Sequence, residues 1–293
     1  MSVPAAGQSP AATTLRPGDD AASILQLSLL DSVWGRPVYS KVRQSISIFD
    51  KQMSGIGHYV RGGRGSGKLK FELRFSAHDH LNTLLQVCDG QRLLTIEDNG
   101  QQRTRVEVDL ARIQAPLSRN YDSVTDPIVS MYLAVGGQAE VLRKLCQMYQ
   151  WTYVRNGKVE KTPVWLLSGS LRTEPPQQRS LAEVDIRLFD ENKSGLLPTH
   201  VEASIGTSDS EFPFWLHRLV QTRGPAEPSP SGRSFSIRVL TEWATPVAMT
   251  PDQLTSDIFH APPAAGEQFS DETSRYLPPQ PAFQAQLPAP LHH

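Results

Sequence analysis

The sequence predicts an α+β fold in which one long, strongly curved antiparallel sheet is covered by helices. Segments that alternate apolar and polar residues, as half-buried strands do, occur in two runs along the chain. Turns between them contain Asp-Gly and Asn-Gly pairs, which favour tight hairpins because these residues tolerate positive φ. Amphipathic segments with helical spacing precede the first run and separate the two runs. A twisted open sheet of this length tends to curl, and its apolar face then needs such helices as a cover.

The charge balance and the hydropathy pattern exclude two functional classes. The 293-residue chain has 29 Lys and Arg residues against 30 Asp and Glu residues, a formal net charge of −1. This balance provides no field that would attract nucleic acid, so no nucleic-acid partner is expected. No stretch approaches the ~18 consecutive apolar residues of a transmembrane helix, so the chain is not expected to span a membrane.

The distribution of proline and alanine indicates the domain organisation. Residues 1–20 and 278–293 are rich in both, and they are predicted to be a disordered leader and a disordered tail. Residues 21–277 are predicted to form a single domain. The leader has neither the basic start nor the apolar core of a signal peptide. A cytoplasmic location and the earlier removal of an export signal therefore both stay open.

Helical segments are predicted on both sides of the first run of strands. Two helices are placed within residues 21–53, and a third is placed at about residues 127–149. In the second helix, apolar residues recur at spacings of 4, 4 and 3, which match one helical face. These residues are Val38, Val42, Ile46 and Phe49. Gly55 and Gly57 are predicted to end this helix.

The first run of strands is predicted to be an antiparallel meander. Its clearest strand spans residues 69–75, where apolar residues alternate strictly with charged ones. Further strands are predicted at residues 81–87, 93–96 and 103–110. Hairpin turns are predicted at Asp89-Gly90 and Asn99-Gly100.

The second run of strands follows the third helix. Its strands are predicted at residues 151–159, 163–172, 184–189, 199–205 and 235–243. A turn is placed at Asn156-Gly157 within the first of them. Residues 212–219 are aromatic and contain Pro213, and they fit either a short strand or a buried loop.

No motif indicates catalysis, a metal site or a cofactor. Residues 62–68 have the spacing of a phosphate loop, but Leu69 stands where the magnesium-binding hydroxyl belongs, and a strand follows instead of a helix. A flexible hairpin turn is predicted there. Residues 78–80 (His-Asp-His) lie at a turn without a third ligand at metal-site spacing. Ser168 lacks the glycine two residues earlier that a nucleophile elbow requires.

The two cysteines, Cys88 and Cys146, are too few for a disulfide framework or a zinc site. A single disulfide between them in an oxidising compartment and two unpaired thiols both remain open.

The inward-facing apolar residues of the strands have two interpretations. They form either an ordinary packed core or the lining of a cavity for an apolar ligand. Alternation alone places the following residues on the inner face, and a slip of one residue would reverse any strand. The predicted ligand-cavity set is Leu69, Phe71, Leu73, Phe75, Leu85, Val87, Leu94, Ile96, Val106, Val108, Trp165 and Leu167.

Several short motifs in a fixed order resemble one known family. They are Gly57-His58-Tyr59, Gly67, residues 69–75, 87–94 and 163–172, Phe259, Pro262, Asp271, Thr273 and Tyr276-Leu277. In this order and spacing, residues 38–277 resemble the LolA-like family of outer-membrane lipoprotein-sorting proteins in its longer form. The resemblance implies an unclosed β-barrel covered by helices, with a hydrophobic cavity that shields acyl chains in the periplasm, and it implies no catalysis.

Two functional hypotheses follow. The first is a non-enzymatic carrier of the periplasm or cell envelope, expected to be a monomer, that holds lipid or lipoprotein acyl chains in the cavity. The second is a protein-interaction module or envelope-stress sensor, in which the core is filled and residues 173–180 and 224–234 contact an envelope protein. An enzyme is the third possibility, and no constellation of residues supports it.

Overall fold

A computed structural model describes residues 21–48, 51–77, 80–120, 134–173, 197–224, 236–264, 266–275 and 277. In this part of the chain, twelve strands form one sheet. The strands are β1 (Val38–Ile48), β2 (Lys51–Arg61), β3 (Lys68–Ala77), β4 (His80–Asp89), β5 (Arg92–Asp98), β6 (Arg103–Asp109), β7 (Tyr149–Val159), β8 (Thr162–Leu171), β9 (His200–Gly206), β10 (Leu216–Arg223), β11 (Ile237–Ala248) and β12 (Gln268–Asp271). The α-helices are α1 (Ala21–Trp34), α2 (Leu110–Asn120) and α3 (Gly137–Met148).

The sheet is unclosed and almost wholly antiparallel. Its strand order is β12-β6-β5-β4-β3-β2-β1-β11-β10-β9-β8-β7. Among these neighbours, β12 alone runs parallel to its partner, β6. Laid flat, such a sheet would be roughly 50 Å wide. Val108 of β6 and Tyr149 of β7, near opposite ends of this order, nevertheless share one core cluster. The sheet therefore curves around that core, and the predicted α+β fold is confirmed.

The second of the two helices predicted within residues 21–53 is wrong, because Val38–Ile48 and Lys51–Arg61 are the paired strands β1 and β2. The spacing of four between Val38, Val42 and Ile46 is an even number, so it also places all three on one face of a strand. The many β-branched residues of β1 favour the strand. Gly55 and Gly57 do not end a helix, because both lie inside β2. A Cβ on Gly55 would approach the Phe75 ring to 2.6 Å.

The predicted hairpins of the first run are confirmed. Asp89 Oδ1 accepts hydrogen bonds from the backbone of Gln91 (2.7 Å) and Arg92 (2.8 Å), and Gly90 has a φ of 99°. Asn99 Oδ1 likewise accepts from the backbone N–H of Gln102 at 2.8 Å. The Asx side chains thus close both turns by satisfying backbone donors.

The predictions for the second run are partly corrected. Asn156 and Gly157 lie inside β7, and the hairpin turns at residues 160–161, where Glu160 has a φ of 53°. Residues 212–215 form a turn that leads into β10. Of the helix predicted over residues 127–149, the structure describes residues 134–149, where α3 begins at Gly137. Residues 127–133 lie outside the described residues. The strand predicted at residues 184–189 also lies outside them, as do the predicted leader and tail.

The glycine-rich turn between β2 and β3 contacts the C-terminal end of α1. Gly63, Gly65 and Gly67 have positive φ, which glycine adopts freely, and Arg64 between them also has a positive φ. The backbone N–H of Gly65 donates to Val33 O at 3.0 Å, so it satisfies one of the free carbonyls at the helix end. The predicted hairpin turn is therefore confirmed, and it also anchors a helix.

Candidate ligand-binding surface

The sheet has two distinct faces, and α1 and α3 pack on one of them. We call the face that carries these helices the concave face and the opposite one the convex face. Leu69 and Leu73 of β3 point to the concave face and belong to the main core. In the antiparallel register their cross-strand partners on β4 are Cys88 and Leu84, so these also point to the concave face.

Eight of the twelve predicted cavity residues share the concave face. By strand register and contact they line it from β3 to β8. They are Leu69, Phe71, Leu73, Phe75, Val106, Val108, Trp165 and Leu167. The structure therefore brings most of the predicted set together on one surface.

The other four predicted residues point to the convex face. Leu85, Val87, Leu94 and Ile96 form a second small cluster with Ala261, separate from the main core. The expectation that all twelve share one face is wrong for these four, because β4 and β5 are apolar on both faces.

Two further apolar residues of β4 and β5 lie on the concave side without having been predicted there. They are Leu84 and Leu93, the cross-strand partners of Leu73 and Cys88. The adjacent apolar pairs Leu84-Leu85 and Leu93-Leu94 were the available signal that both faces of these strands are covered.

The two helices cover part of the concave face. The buried side of α1 includes Ile24, Leu25 and Leu29, and that of α3 includes Leu142 and Leu145. A cavity of only about 40 Å³ remains between the end of α1, the glycine-rich turn, α2 and α3. That volume is far below the ~300–1,000 Å³ of ligand pockets, so this cavity does not hold an acyl chain.

The start of α3 is held to the sheet by polar contacts from two strands. The backbone N–H of Gly137 donates to Gln86 Oε1 of β4 at 2.9 Å. The side chain of Gln138 donates to Leu216 O of β10 at 2.9 Å. Tyr59 of β2 lies beneath the same turn and is fully buried, which raises its pKa to about 12. The helix is thus fixed across the concave face at its first turn.

The end of α1 is held by a buried ion pair. Arg61 of β2 is 3% exposed, and its Nη2 lies 2.9 Å from Asp31 Oδ2. Its Nη1 also donates to Asp31 O at 2.7 Å, and its guanidinium lies 5.1 Å from the ring centre of Trp215. Charge pairing, helix-end capping and a cation–π contact therefore converge on one arginine.

Beyond the helices, the concave face opens into a cavity of about 320 Å³. Its apolar side is formed by Phe75 and Leu84, which are partly buried and pack against the main core. Its polar side includes Asn82, Glu97 and Thr104, which lie on neighbouring strands of the same face. The cavity therefore joins the apolar strip of the concave face to a polar rim.

A cavity of about 550 Å³ lies elsewhere, between the β7–β8 turn and β11. Three cations, Arg43, Lys158 and Arg218, and three carboxylates line it. His217 also lines it, and burial lowers the pKa of His217 to about 4. Because its walls are charged, this cavity does not suit an acyl chain.

Ser168, His200 and Glu202 lie close together on β8 and β9. Ser168 Oγ and Glu202 Oε1 both approach Nε2 of His200, at 3.5 and 3.8 Å. A catalytic relay needs the two partners on opposite ring nitrogens, so these residues form no triad. In the part of the chain that the structure describes, no three His, Cys, Asp or Glu side chains group as metal ligands.

Both cysteines are free thiols. Cys88 is fully buried in the main core, and burial raises its pKa to about 12. The same cause raises the pKa of Cys146 to about 12. Both side chains therefore stay protonated at neutral pH and serve as small apolar groups.

Within the described ranges, no helix combines the length and the apolar character that crossing a membrane requires.

Comparison with known proteins finds similarity in structure alone. No family model matches the sequence, and no curated protein matches it. An uncharacterized conserved protein from Thermus thermophilus matches over 85% of this chain and 99% of its own, at 9% identity and a TM-score of 0.41.

Two further matches carry descriptions. A LolA superfamily protein from Nitrosomonas europaea matches over 83% of this chain and 99% of its own, at 10% identity and a TM-score of 0.30. The MucA/MucB complex of Pseudomonas aeruginosa matches over 83% of this chain and 64% of its own, at 8% identity and a TM-score of 0.37. A protein of the family that the sequence motifs resemble is thus among the structural matches.

Proposed function

We propose that this protein is a non-enzymatic binding protein of the periplasm or cell envelope that holds acyl chains of lipids or lipoproteins on its concave face. The observation that carries the proposal is the open cavity at Phe75 and Leu84, whose apolar wall continues into the main core. Its volume of about 320 Å³ lies at the lower end of the range of ~300–1,000 Å³ for ligand pockets. Each acyl CH₂ buried there contributes about 0.8 kcal/mol.

The helices limit the length of acyl chain that the site can hold. A short acyl segment fits against Phe75 and Leu84 without any movement of the protein. A longer chain must displace α3, because side chains of α1 and α3 already pack on the rest of the apolar strip. Binding of long chains is therefore expected to be slower than binding of short ones, since α3 must first leave its contacts with Gln86 and Leu216.

Displacement of a fluorescent fatty acid tests the proposal with two neighbouring substitutions. Leu84 faces the cavity, whereas Leu85 faces the convex side, so Leu84→Asn and Leu85→Asn differ in the face that they alter. We expect Leu84→Asn to weaken binding about tenfold, because a buried apolar contact is replaced by an amide. Leu85→Asn should stay within about twofold of the parent protein.

Native mass spectrometry of the purified protein gives an independent measurement. An acyl lipid that co-purifies supports the proposal. Equal effects of the two substitutions, or no binding of any acyl probe, would contradict it. Thermal unfolding of both variants serves as the control for folding.

A second candidate function rests on the helices that pack on the concave face. Because core residues of α1 and α3 occupy this side of the sheet, the same scaffold also suits a protein-interaction module or envelope-stress sensor. Its predicted contact segments, residues 173–180 and 224–234, lie almost entirely outside the described residues. Absence of acyl binding, together with capture of an envelope protein by the full chain, would favour this function.

The location is part of the proposal. Fractionation of cells that produce the native protein should place it in the periplasm or envelope fraction. Its recovery in the cytoplasmic fraction would contradict the carrier function in its present form.

A further inference from the structure

The open cavity on the concave face is not electrically neutral. Among the described residues, nine line it, none of them is Lys, Arg or His, and two, Glu97 and Asp98, are carboxylates. Glu97 projects from β5 between Leu84 and Thr104, its cross-strand partners on the concave face. The acidic group therefore stands directly beside the apolar wall.

The two carboxylates differ in how far they are neutralised. Asp98 Oδ2 lies 3.7 Å from Nη1 of Arg103, and Asp98 Oδ1 accepts a hydrogen bond from the backbone of Gly100. Glu97 is exposed and has no ion-pair partner among the residues that the structure describes. Among the described lining residues, Glu97 is thus the carboxylate without an ion-pair partner.

Glu97 is the group of the rim that favours a ligand that donates. Glu97 accepts hydrogen bonds and cannot donate them while ionised. The polar end of a ligand beside Leu84 therefore meets a free acceptor of negative charge.

We propose that this cavity selects amphiphiles whose polar end is a cationic hydrogen-bond donor, such as an alkyl amine, and disfavours those that end in a carboxylate or phosphate. The inference rests on the proposed function and deepens it. The acyl chain contacts Phe75 and Leu84, while the ammonium group donates to Glu97. An anionic end would lie beside a like charge without a compensating cation.

Ligands of equal chain length and opposite charge test the inference. Dodecylamine and dodecanoate, both below the concentrations at which they aggregate, compete with the neutral fluorophore N-phenyl-1-naphthylamine for the full-length protein. Dodecylamine should bind roughly tenfold more tightly than dodecanoate at low salt. In 1 M salt, where the Debye length falls to about 3 Å, the preference should shrink.

Two substitutions locate the preference. Glu97→Gln should reduce it to about threefold or less, because it removes the charge and keeps the shape. Glu202→Gln removes an exposed carboxylate of β9 that does not line the cavity, so it should retain the full preference. Unchanged thermal unfolding of both variants confirms that folding is intact.

The outcomes separate this inference from the proposed function. If neither ligand displaces the fluorophore, the acyl-binding function itself fails. If both bind equally, or dodecanoate binds more tightly, the acyl site stands and the charge preference is overturned. A preference that persists in Glu97→Gln overturns the inference as well, since another group would then be its source.

Discussion

His217 illustrates how one buried side chain can set the response of the fold to pH. It lies on β10, is 4% exposed, and its Nε2 has no hydrogen-bond partner among the described residues. Burial lowers its pKa from 6.5 to about 4, because the charged form loses its water. As the pH falls, His217 is therefore protonated near pH 6.5 in the unfolded chain and only near pH 4 in the folded chain.

A pH series of urea unfolding measures this effect. Each pKa unit corresponds to about 1.4 kcal/mol, so protonation of the unfolded state should cost the fold about 3 kcal/mol between pH 6.5 and pH 4. His217→Gln should lack this part of the slope. His260→Gln, at an exposed position, should keep the slope of the parent protein. Equal slopes in the parent protein and His217→Gln would contradict the assignment.

At the scale of the element, α3 depends on two glycines at its start. Gly136 and Gly137 both have positive φ, of 80° and 55°. Because Gly137 has no side chain, its N–H can reach Gln86 while Tyr59 lies directly beneath it. The helix begins there because the backbone turns through a conformation that other residues adopt at a cost.

Substitution of Gly137 tests this dependence. A Cβ at Gly137 would lie 2.7 Å from the Tyr59 ring, so Gly137→Ala combines steric contact with an unfavourable φ. We expect a loss of about 2 kcal/mol in the free energy of unfolding and faster hydrogen exchange in α3. Gly224→Ala, where nothing lies within 4 Å of the added Cβ, should be nearly neutral. Similar losses at both positions would refute the explanation.

The elements also show which parts of the fold can be predicted from the sequence. The hairpins at Asp89-Gly90 and Asn99-Gly100 could be predicted because their turn residues satisfy backbone groups only a few positions away. The β1–β2 hairpin could not, because a spacing of four between apolar residues fits both a helix and a strand. The segment forms strands because β1 pairs with β11 and β2 pairs with β3. The pattern of neighbouring residues carries no information on such pairing.

The candidate site was predicted to the same extent and for related reasons. Strict alternation in β3 placed Phe71 and Phe75 on the correct face. In β4 and β5, alternation could not decide, because residues far along the chain cover the convex face. The cavity beside Glu97 could not be predicted from spacing, since residues of four strands, β3 to β6, form it together.

At the scale of the molecule, residues 250–264 and 266–275 form a strap across the convex face. Ala261 in this strap packs on Val87 and Ile96. Farther along, Glu267 Oε1 lies 2.7 Å from Arg103 Nε, and the hydroxyl of Thr273 accepts a hydrogen bond from the backbone of Asp109 at 2.8 Å. The strap thereby covers apolar side chains and adds β12 to the edge of β6.

A carboxylate under the strap should release it. Ala261 is buried, whereas Ala264 is exposed, so Ala261→Asp and Ala264→Asp form a matched pair. We expect Ala261→Asp to lower stability by about 2 kcal/mol, because a carboxylate is placed against the apolar side chains of Val87 and Ile96. The melting temperature should fall by roughly 4–8 °C, with little change for Ala264→Asp. If the two variants melt together, the strap does not stabilise the sheet.

Apart from β12 at its edge, the sheet consists of two continuous meanders that are joined where β1 pairs with β11. One comprises β1 to β6 and the other β7 to β11, and the Ser40–Ala244 hydrogen bond between them joins residues 204 positions apart. Each meander can form from neighbouring hairpins, whereas their junction requires the closure of a very long loop. During synthesis, the first half therefore leaves the ribosome with β1 as an unpaired edge. The polar residues of β1, among them Lys41, Arg43, Ser45 and Ser47, keep that temporary edge soluble until its partner arrives.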